Sequence, residues 1–345
     1  TLLPAAAILS MACFDGAYHS LFNFTASNLP LIRSDLSGFG DPRLLLLHRA
    51  MYACIGIGMM FAAASIFERF REHRGERWTG AVIALFLFGM AGFFGSSYLH
   101  HAGEGAELRR AMNVLNGKFA HHPHVTVKTC RLDVAHGAHA LHISARLTFR
   151  NDNAAPLDSY LFTINPGFRI MSVNRGPASI PFSRDLHTLL VRPEQPLRPG
   201  GTDSLTIRYE GGILNGACYP DIDERAHGEL NAYSGKVFDQ QFGYVGSRYV
   251  LLTPETRWYP CAGIPWSGPL RVEPEPFIAF SMNVTTGKGL TAISQGNRME
   301  TGNGMTTFAP ETPLPRISLV IGPYEKKSVV VDGVEYSVYS RIGHD

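Results

Sequence analysis

"LHISARLTFR", residues 141–150, alternates with a period of two. Leu141, Ile143, Ala145, Leu147 and Phe149 fall on one face; His142, Ser144, Arg146, Thr148 and Arg150 fall on the other. Successive side chains of a strand point to opposite faces, so the stretch predicts a strand with one face in a core and one in water. "SLTIRYE" (204–210) repeats the pattern with Leu205, Ile207 and Tyr209 inward. "FIAFSMNV" (277–284) and "ISLVIGPY" (317–324) are strands with weaker alternation. In "VVVDGVEYSVY" (329–339), Asp332-Gly333 separates two β-branched runs, a strong signal for a two-residue hairpin. Turn clusters recur at short intervals: "NDNAAP", "NPG", "RPGG", "TGKG" and "TGNG". Many strands with no helical period after residue 120 predict an all-β domain over 121–345.

The chain upstream is of another kind. "EGAELRRAMNVLNGKF" places Leu108, Ala111, Met112 and Leu115 at helical spacing, which predicts a short helix over 106–120 ended by Asn116-Gly117. Before it, Thr79–Leu99 holds 21 residues without a charge, enough at about 1.5 Å per residue to cross a hydrocarbon core of about 30 Å. Ala50–Phe67 is a second uncharged run, extended by "LLLL" at 44–47 if Arg49 snorkels to the interface. Thr1–Phe24 is a third candidate span, uncharged over Thr1–Phe14 but with Asp15 and His19 inside it. The expectation is a transmembrane region over 1–105 with spans near 1–24, 46–67 and 79–99. Core helices of a soluble protein are the alternative, but two uncharged runs around a charged turn are hard to bury otherwise. That turn, "ERFREHRGERW", carries Arg69, Arg71, Arg74 and Arg77, whereas the 23–43 loop carries Arg33 and Arg43. By the positive-inside rule the Arg-rich turn is cytoplasmic and residues from about 100 onward face outward; for an inner-membrane protein of a Gram-negative bacterium that side is the periplasm.

The bulk numbers agree. Charged residues make up 17%, below the roughly 25% of soluble domains. A net charge of +2 gives no reason to expect a nucleic-acid partner. The chain opens on an apolar Thr-Leu-Leu and ends on "SRIGHD" after a strand-like run, which reads as an internal fragment of a longer polypeptide.

Candidate chemistry is thin. Histidines cluster at His100 and His101, at His121, His122 and His124, and at His136, His139 and His142. Imidazoles bind zinc or copper. On a continuous strand, however, His136 and His142 share a face and His139 takes the other. HExxH, GxSxG and P-loop signatures are absent from the sequence. Asp221, Asp223 and Glu224 lack the glycine and distal glutamate of a calcium loop and read as solvated. The sequons at Asn23 and Asn283 carry no weight in a bacterium. Of the five cysteines, Cys13 and Cys54 lie in apolar runs; Cys130, Cys218 and Cys261 lie in the β-region, with no CxxC spacing. An oxidising compartment permits a Cys218–Cys261 bridge, with both as buried thiols as the alternative and Cys130 a thiol either way.

"RWYPCAGIPW" (257–266) raises the question of site or scaffold. "YVLLTPETRWYPCAGIP" is followed by "FIAFSMNV", then "GKGLTAISQGN", then "TTFAPETPLPRISLVIGPYE". That order resembles the amino-terminal β-domain of M1-family zinc aminopeptidases. "VKTCRLDV", "ISARLTFRNDNAAPLDSYLFTINPGFRIMSV" and "LRPGGTDSLTIRYEGGI" resemble its opening strands and its "L-pG-y-G" turn. The resemblance spans about 220 residues and implies an antiparallel sandwich or saddle. With the upstream helices, of which "PRLLLLHRAMYACIGIGMMFAAASIFERF" is the fullest stretch, it is similar to bacterial fusions of an ABC-2-type transporter permease with an M1 aminopeptidase. In that family two His and a Glu hold zinc and an acidic residue polarises water. No matching residue exists here, so the resemblance implies no catalytic, cofactor-binding or metal residue in this chain, zinc in a missing carboxy-terminal domain, and no activity of the fragment alone. The pattern departs at Cys261, Ala262, Gly263, Ile264 and Pro265, where the family carries an acidic residue. Arg248 and Tyr249 stand near the place of a Gln that lines the family's substrate pocket, so no substrate-binding residue is carried over.

The expected role is to position and wall a peptidase cleft beside the membrane, with the aromatics of 257–266, Trp258, Tyr259 and Trp266, packing where the β-domain would meet the missing domain. The expected partners are the lipid bilayer, the catalytic domain, an ABC ATPase subunit and the full-length protein's peptide substrate. Two other readings remain open: a membrane-tethered β-sandwich that binds a peptide or protein, and a periplasmic metal-binding module built on the His clusters.

Overall fold

The computed structural model describes residues 20–22, 42–67, 74–219, 222, 241–264, 276–300 and 304–341. The chain divides into two compact units, Thr1–Ala106 and Glu107–Asp345. The expected span 1–24 lies outside the described residues except for a 3-10 turn at Ser20–Phe22.

Two helices, α1 (Arg43–Ile66) and α2 (Arg74–Phe119), are long and apolar enough to cross a membrane. Met59, Met60, Val82, Leu85, Phe86 and Phe93 are all exposed on them, so these helices are apolar on several sides. Their own core is small: Leu21, Met51, Ala91 and Tyr98, with the His48 ring 4.8 Å from that of Tyr52. The helices expected over 79–99 and 106–120 are one. Gly103 and Gly105 each cost the helix only about 1 kcal/mol, and Glu104 pairs with His101 at 2.9 Å across the same turn. Nor does Asn116-Gly117 end it. Asn116 is buried and the helix runs on to Phe119.

The β-unit contains, in chain order, β1 (Thr126–His136), β2 (Leu141–Arg150), β3 (Tyr160–Thr163), β4 (Phe168–Arg175), β5 (Ala178–Ser179), β6 (Phe182–Asp185), β7 (Thr188–Val191), β8 (Thr202–Gly211) and β9 (Gly243–Val245). It continues with β10 (Val250–Leu252), β11 (Cys261–Ala262), β12 (Ala279–Thr285), β13 (Thr291–Ser294), β14 (Asn297–Glu300), β15 (Met305–Ala309), β16 (Leu319–Gly322), β17 (Tyr324–Val331) and β18 (Val334–Arg341). An eight-stranded sheet runs β14-β15-β12-β1-β2-β8-β4-β5; two four-stranded sheets run β13-β16-β10-β9 and β11-β3-β7-β6. Pairing is antiparallel except between β1 and β12, which run parallel with Leu132 beside Met282 and Val134 beside Val284. The purely antiparallel expectation is corrected there. Parallel neighbours need a long crossover, and about 140 residues, including the second sheet, lie between these two strands.

The opening stretch is β2, and its inward face is Leu141, Ile143, Ala145, Leu147 and Phe149, none more than 3% exposed. Phe149 meets the rings of Tyr160 and Phe162 on β3 at 4.9 and 5.9 Å, joining the large sheet to the second. A buried aromatic of this kind contributes about 2–3 kcal/mol by area alone. One core gathers side chains from all three larger sheets.

β17 and β18 form a separate two-stranded sheet. Its turn is the Asp332-Gly333 pair, both at positive φ, with Val331 opposite Val334. Positive φ at both turn residues is what a type I′ hairpin requires. Here, though, Val329, Val331, Val334, Tyr336 and Val338 are all exposed.

Candidate functional site

The segment 254–264 is anchored in the core of the β-unit by side-chain and backbone hydrogen bonds. Pro254–Thr256 makes a 3-10 turn that ends on Arg257 in the left-handed region, at φ 50°. That reversal turns the chain inward and puts Trp258 and Tyr259 in the core, at 0% and 4% exposure. The Trp258 indole N–H donates to the Ile317 carbonyl at 3.2 Å, and the Tyr209 hydroxyl donates to the Trp258 carbonyl at 3.2 Å. The Tyr259 ring packs edge-on against Trp258 at 5.1 Å and Phe280 at 5.5 Å, and its hydroxyl oxygen accepts the Ile317 N–H. Gly263 follows at φ 74°, and an added Cβ there would come within 3.0 Å of the His124 ring. Its N–H donates to Leu161 and its carbonyl accepts the Thr163 hydroxyl at 2.7 Å. Trp258 and Tyr259 therefore belong to the core rather than to an outward-facing surface, because their side-chain polar atoms find partners there. Pro265 and Trp266 lie outside the described residues.

A buried polar hub sits beside this segment. Asn165, 1% exposed, donates its amide to the carbonyls of Thr256 (2.9 Å) and Leu214 (3.3 Å). Its side-chain oxygen accepts the N–H groups of Gly167 and Leu214, each at 2.9 Å, and its backbone N–H donates to Arg257 at 2.8 Å. Arg184 donates to the carbonyls of Ile164, Asn165 and His187 at 2.8, 3.0 and 3.2 Å. Burial pulls the Arg184 pKa down to about 10. His187, on the β6–β7 turn, is 1% exposed, and its Nε2 donates to Asn116 Oδ1 at 2.8 Å. Burial first, then the Arg184 charge, lowers the His187 pKa to about 4, so the ring is neutral. The Asn113 side-chain amide donates a hydrogen bond to the Ile222 carbonyl at 3.2 Å. The hub ties the end of α2 through His187, Arg184 and Asn165 to the loops at 214 and 256–257. Such a network positions backbone.

The histidines do not converge. Gly137–Ala140 is the β1–β2 turn, closed by an N–H from Gly137 to the Ala140 carbonyl. His139 lies in it, while His136 pairs with Leu141 and His142 with Ala135. Because the chain reverses between them, His136 and His142 fall on opposite faces, which corrects the shared-face expectation. His136 bonds the Gly246 carbonyl at 2.8 Å; His142 contacts Glu210 at 3.1 Å, which Arg169 also bridges. His122 reaches Ser159 at 3.2 Å. Among the described residues no three His, Cys, Asp or Glu side chains are grouped to hold a metal, so these residues do not fit a zinc site. Asp221, Asp223 and Glu224 lie outside the described residues.

Arg248 is exposed in the β9–β10 turn, and the Tyr249 ring stacks on Tyr244 at 6.1 Å. Cys218 and Cys261 both carry thiols rather than a shared bridge. The Cys218 thiol faces Asn215 on its own 3-10 turn, and burial, then Glu255, pushes its pKa up to about 12. The Cys261 thiol donates to the Tyr259 carbonyl at 3.4 Å.

No protein-family model matches the sequence, and no curated protein matches it. Solved structures do. Its structural neighbours are M1 zinc metallopeptidases. The M1 zinc metallopeptidase of Deinococcus radiodurans is 19% identical at a TM-score of 0.45, covering 63% of this chain and 46% of that one. A mutant two-domain M1 zinc metallopeptidase bound to L-arginine gives 18% identity, a TM-score of 0.45 and the same coverage. The chain thus spans about half the length of the structures it matches.

Proposed function

We propose that this chain is a membrane-anchored, periplasm-facing part of a permease/M1 zinc aminopeptidase fusion, supplying the non-catalytic β-domain that positions and walls a peptidase cleft. The observation that carries the reading is the order of its segments. An opening hairpin, an aromatic-Pro-Cys run, a strand, a "GKGLTAISQGN" turn and a closing strand succeed one another over about 220 residues. The helices support the anchoring. Side chains apolar on several sides suit a hydrocarbon surround, and the Arg-rich turn at 68–78 supplies the orientation. Zinc and the hydrolytic residues belong to a domain beyond the β-domain, and an ABC ATPase is the expected cytoplasmic partner. Reading the gene past Asp345 tests this. HExxH with a Glu about twenty residues on is the expected result; a stop codon at once overturns the fusion. Protein ending at Asp345 is expected to show no chelator-sensitive aminopeptidase turnover with added zinc.

A second reading, a membrane-tethered β-domain that binds a partner protein, is favoured by the exposed apolar face of the β17–β18 hairpin. A large uncovered apolar patch marks a surface that something else covers.

A further inference from the structure

The cysteine that neighbours Cys261 is Cys130. Cys130 lies on β1 at 1% exposure, and Cys261 packs half-buried against the same core. β11, which consists of Cys261 and Ala262 alone, passes within 8 Å of β1 between Cα atoms. The residues around them interlock. Phe280 is the register partner of Cys130 on β12, its ring lies 5.5 Å from that of Tyr259, and the Tyr259 carbonyl accepts the Cys261 thiol. Each sulfur lies in the field of the other: Cys261 adds to the burial that raises the Cys130 thiol pKa well above its usual value. Cys218 is elsewhere, on the Asn215–Ala217 turn, facing Asn215 and Glu255.

We propose that Cys130 and Cys261 are an internal redox pair: a two-electron oxidation joins them in a disulfide that ties β1 of the large sheet to β11 of the second. The oxidant is an exchangeable small disulfide of the glutathione type. Cys261, the more accessible thiol, loses its proton and attacks one sulfur of oxidised glutathione, and one glutathione leaves as thiolate and takes a proton. Cys130 then loses its proton and attacks the Cys261 sulfur, expelling the second glutathione. Two protein thiols become one disulfide and one glutathione disulfide becomes two thiols. The second step is the slow one, because the buried Cys130 thiol ionises reluctantly. The bond would lock the 257–264 segment in place by closing a long loop. The inference does not depend on the proposed function.

The test uses the full chain in detergent, incubated with oxidised glutathione, alkylated, digested without reduction and read by mass spectrometry. The expected result is loss of two of the five thiols and a cross-linked peptide pairing Cys130 with Cys261, unchanged in Cys218→Ala. In Cys130→Ala, Cys261 should stay as its glutathione adduct. The oxidised wild-type protein should melt several degrees higher than the reduced one, a shift lost in Cys261→Ala. A Cys218–Cys261 peptide, a lasting glutathione adduct on wild-type Cys261, or five unreacted thiols each overturn it.

Discussion

Two stretches that carry large apolar side chains meet opposite fates. Arg257–Gly263 holds a Trp and a Tyr, and Val329–Val338 holds five Val and a Tyr, yet Trp258 is wholly buried while Val338 is 67% exposed. The difference lies in their neighbours. Arg257–Gly263 is flanked by a left-handed Arg257 and a hub of amides that turn it into the core. Among the described residues the hairpin's two strands pair only with each other, and an isolated two-stranded hairpin is marginal in water. Apolar sequence therefore does not fix burial; the long-range partners do.

Substitutions sharpen the contrast. Trp258→Ala should cost the β-unit about 3–5 kcal/mol in chemical denaturation, since it opens a cavity and leaves the Ile317 carbonyl unpaired. A loss under 1 kcal/mol would mean the segment is not core. Asn165→Leu should cost about 2–4 kcal/mol by stranding the N–H groups of Gly167 and Leu214 and the Thr256 carbonyl. Acid adds a third probe. Burial and the Arg184 charge hold the folded His187 pKa down to about 4, against about 6.5 for an unperturbed imidazole, so the unfolded chain takes up its proton first. Its contribution is complete above pH 6.5 and is lost as pH falls from 6.5 toward 4, up to about 3 kcal/mol. His187→Gln should flatten that slope. At the small end, Tyr336→Ser and Val338→Ser should change stability by no more than about 0.5 kcal/mol. A larger loss would show that the hairpin face is covered.

Local pattern carried part of this. The alternation of 141–150 gave the inward face of β2 residue by residue, and Asp332-Gly333 gave both turn and register of β17–β18. What escaped depended on distance in sequence. Asn165, Arg184 and His187 look like ordinary loop and strand polars; their partners stand at 214, 256 and 116. The parallel β1–β12 pair rests likewise on contacts that no local window contains, whereas the continuity of α2 past Gly103 rests on local terms that the glycines masked. His136 and His142 misled because a four-residue turn separates them.

The central claim is that the β-unit lies on the outer side of a membrane that α1 and α2 cross. Single cysteines at Glu72, in the Arg-rich turn, and at Lys288, exposed between β12 and β13, test it in a background with the five native cysteines replaced. An impermeant thiol reagent applied to cells whose outer membrane alone is permeabilised should label the cysteine at 288 and spare that at 72 until the inner membrane is opened. Labelling at 72 with protection at 288 would contradict the account.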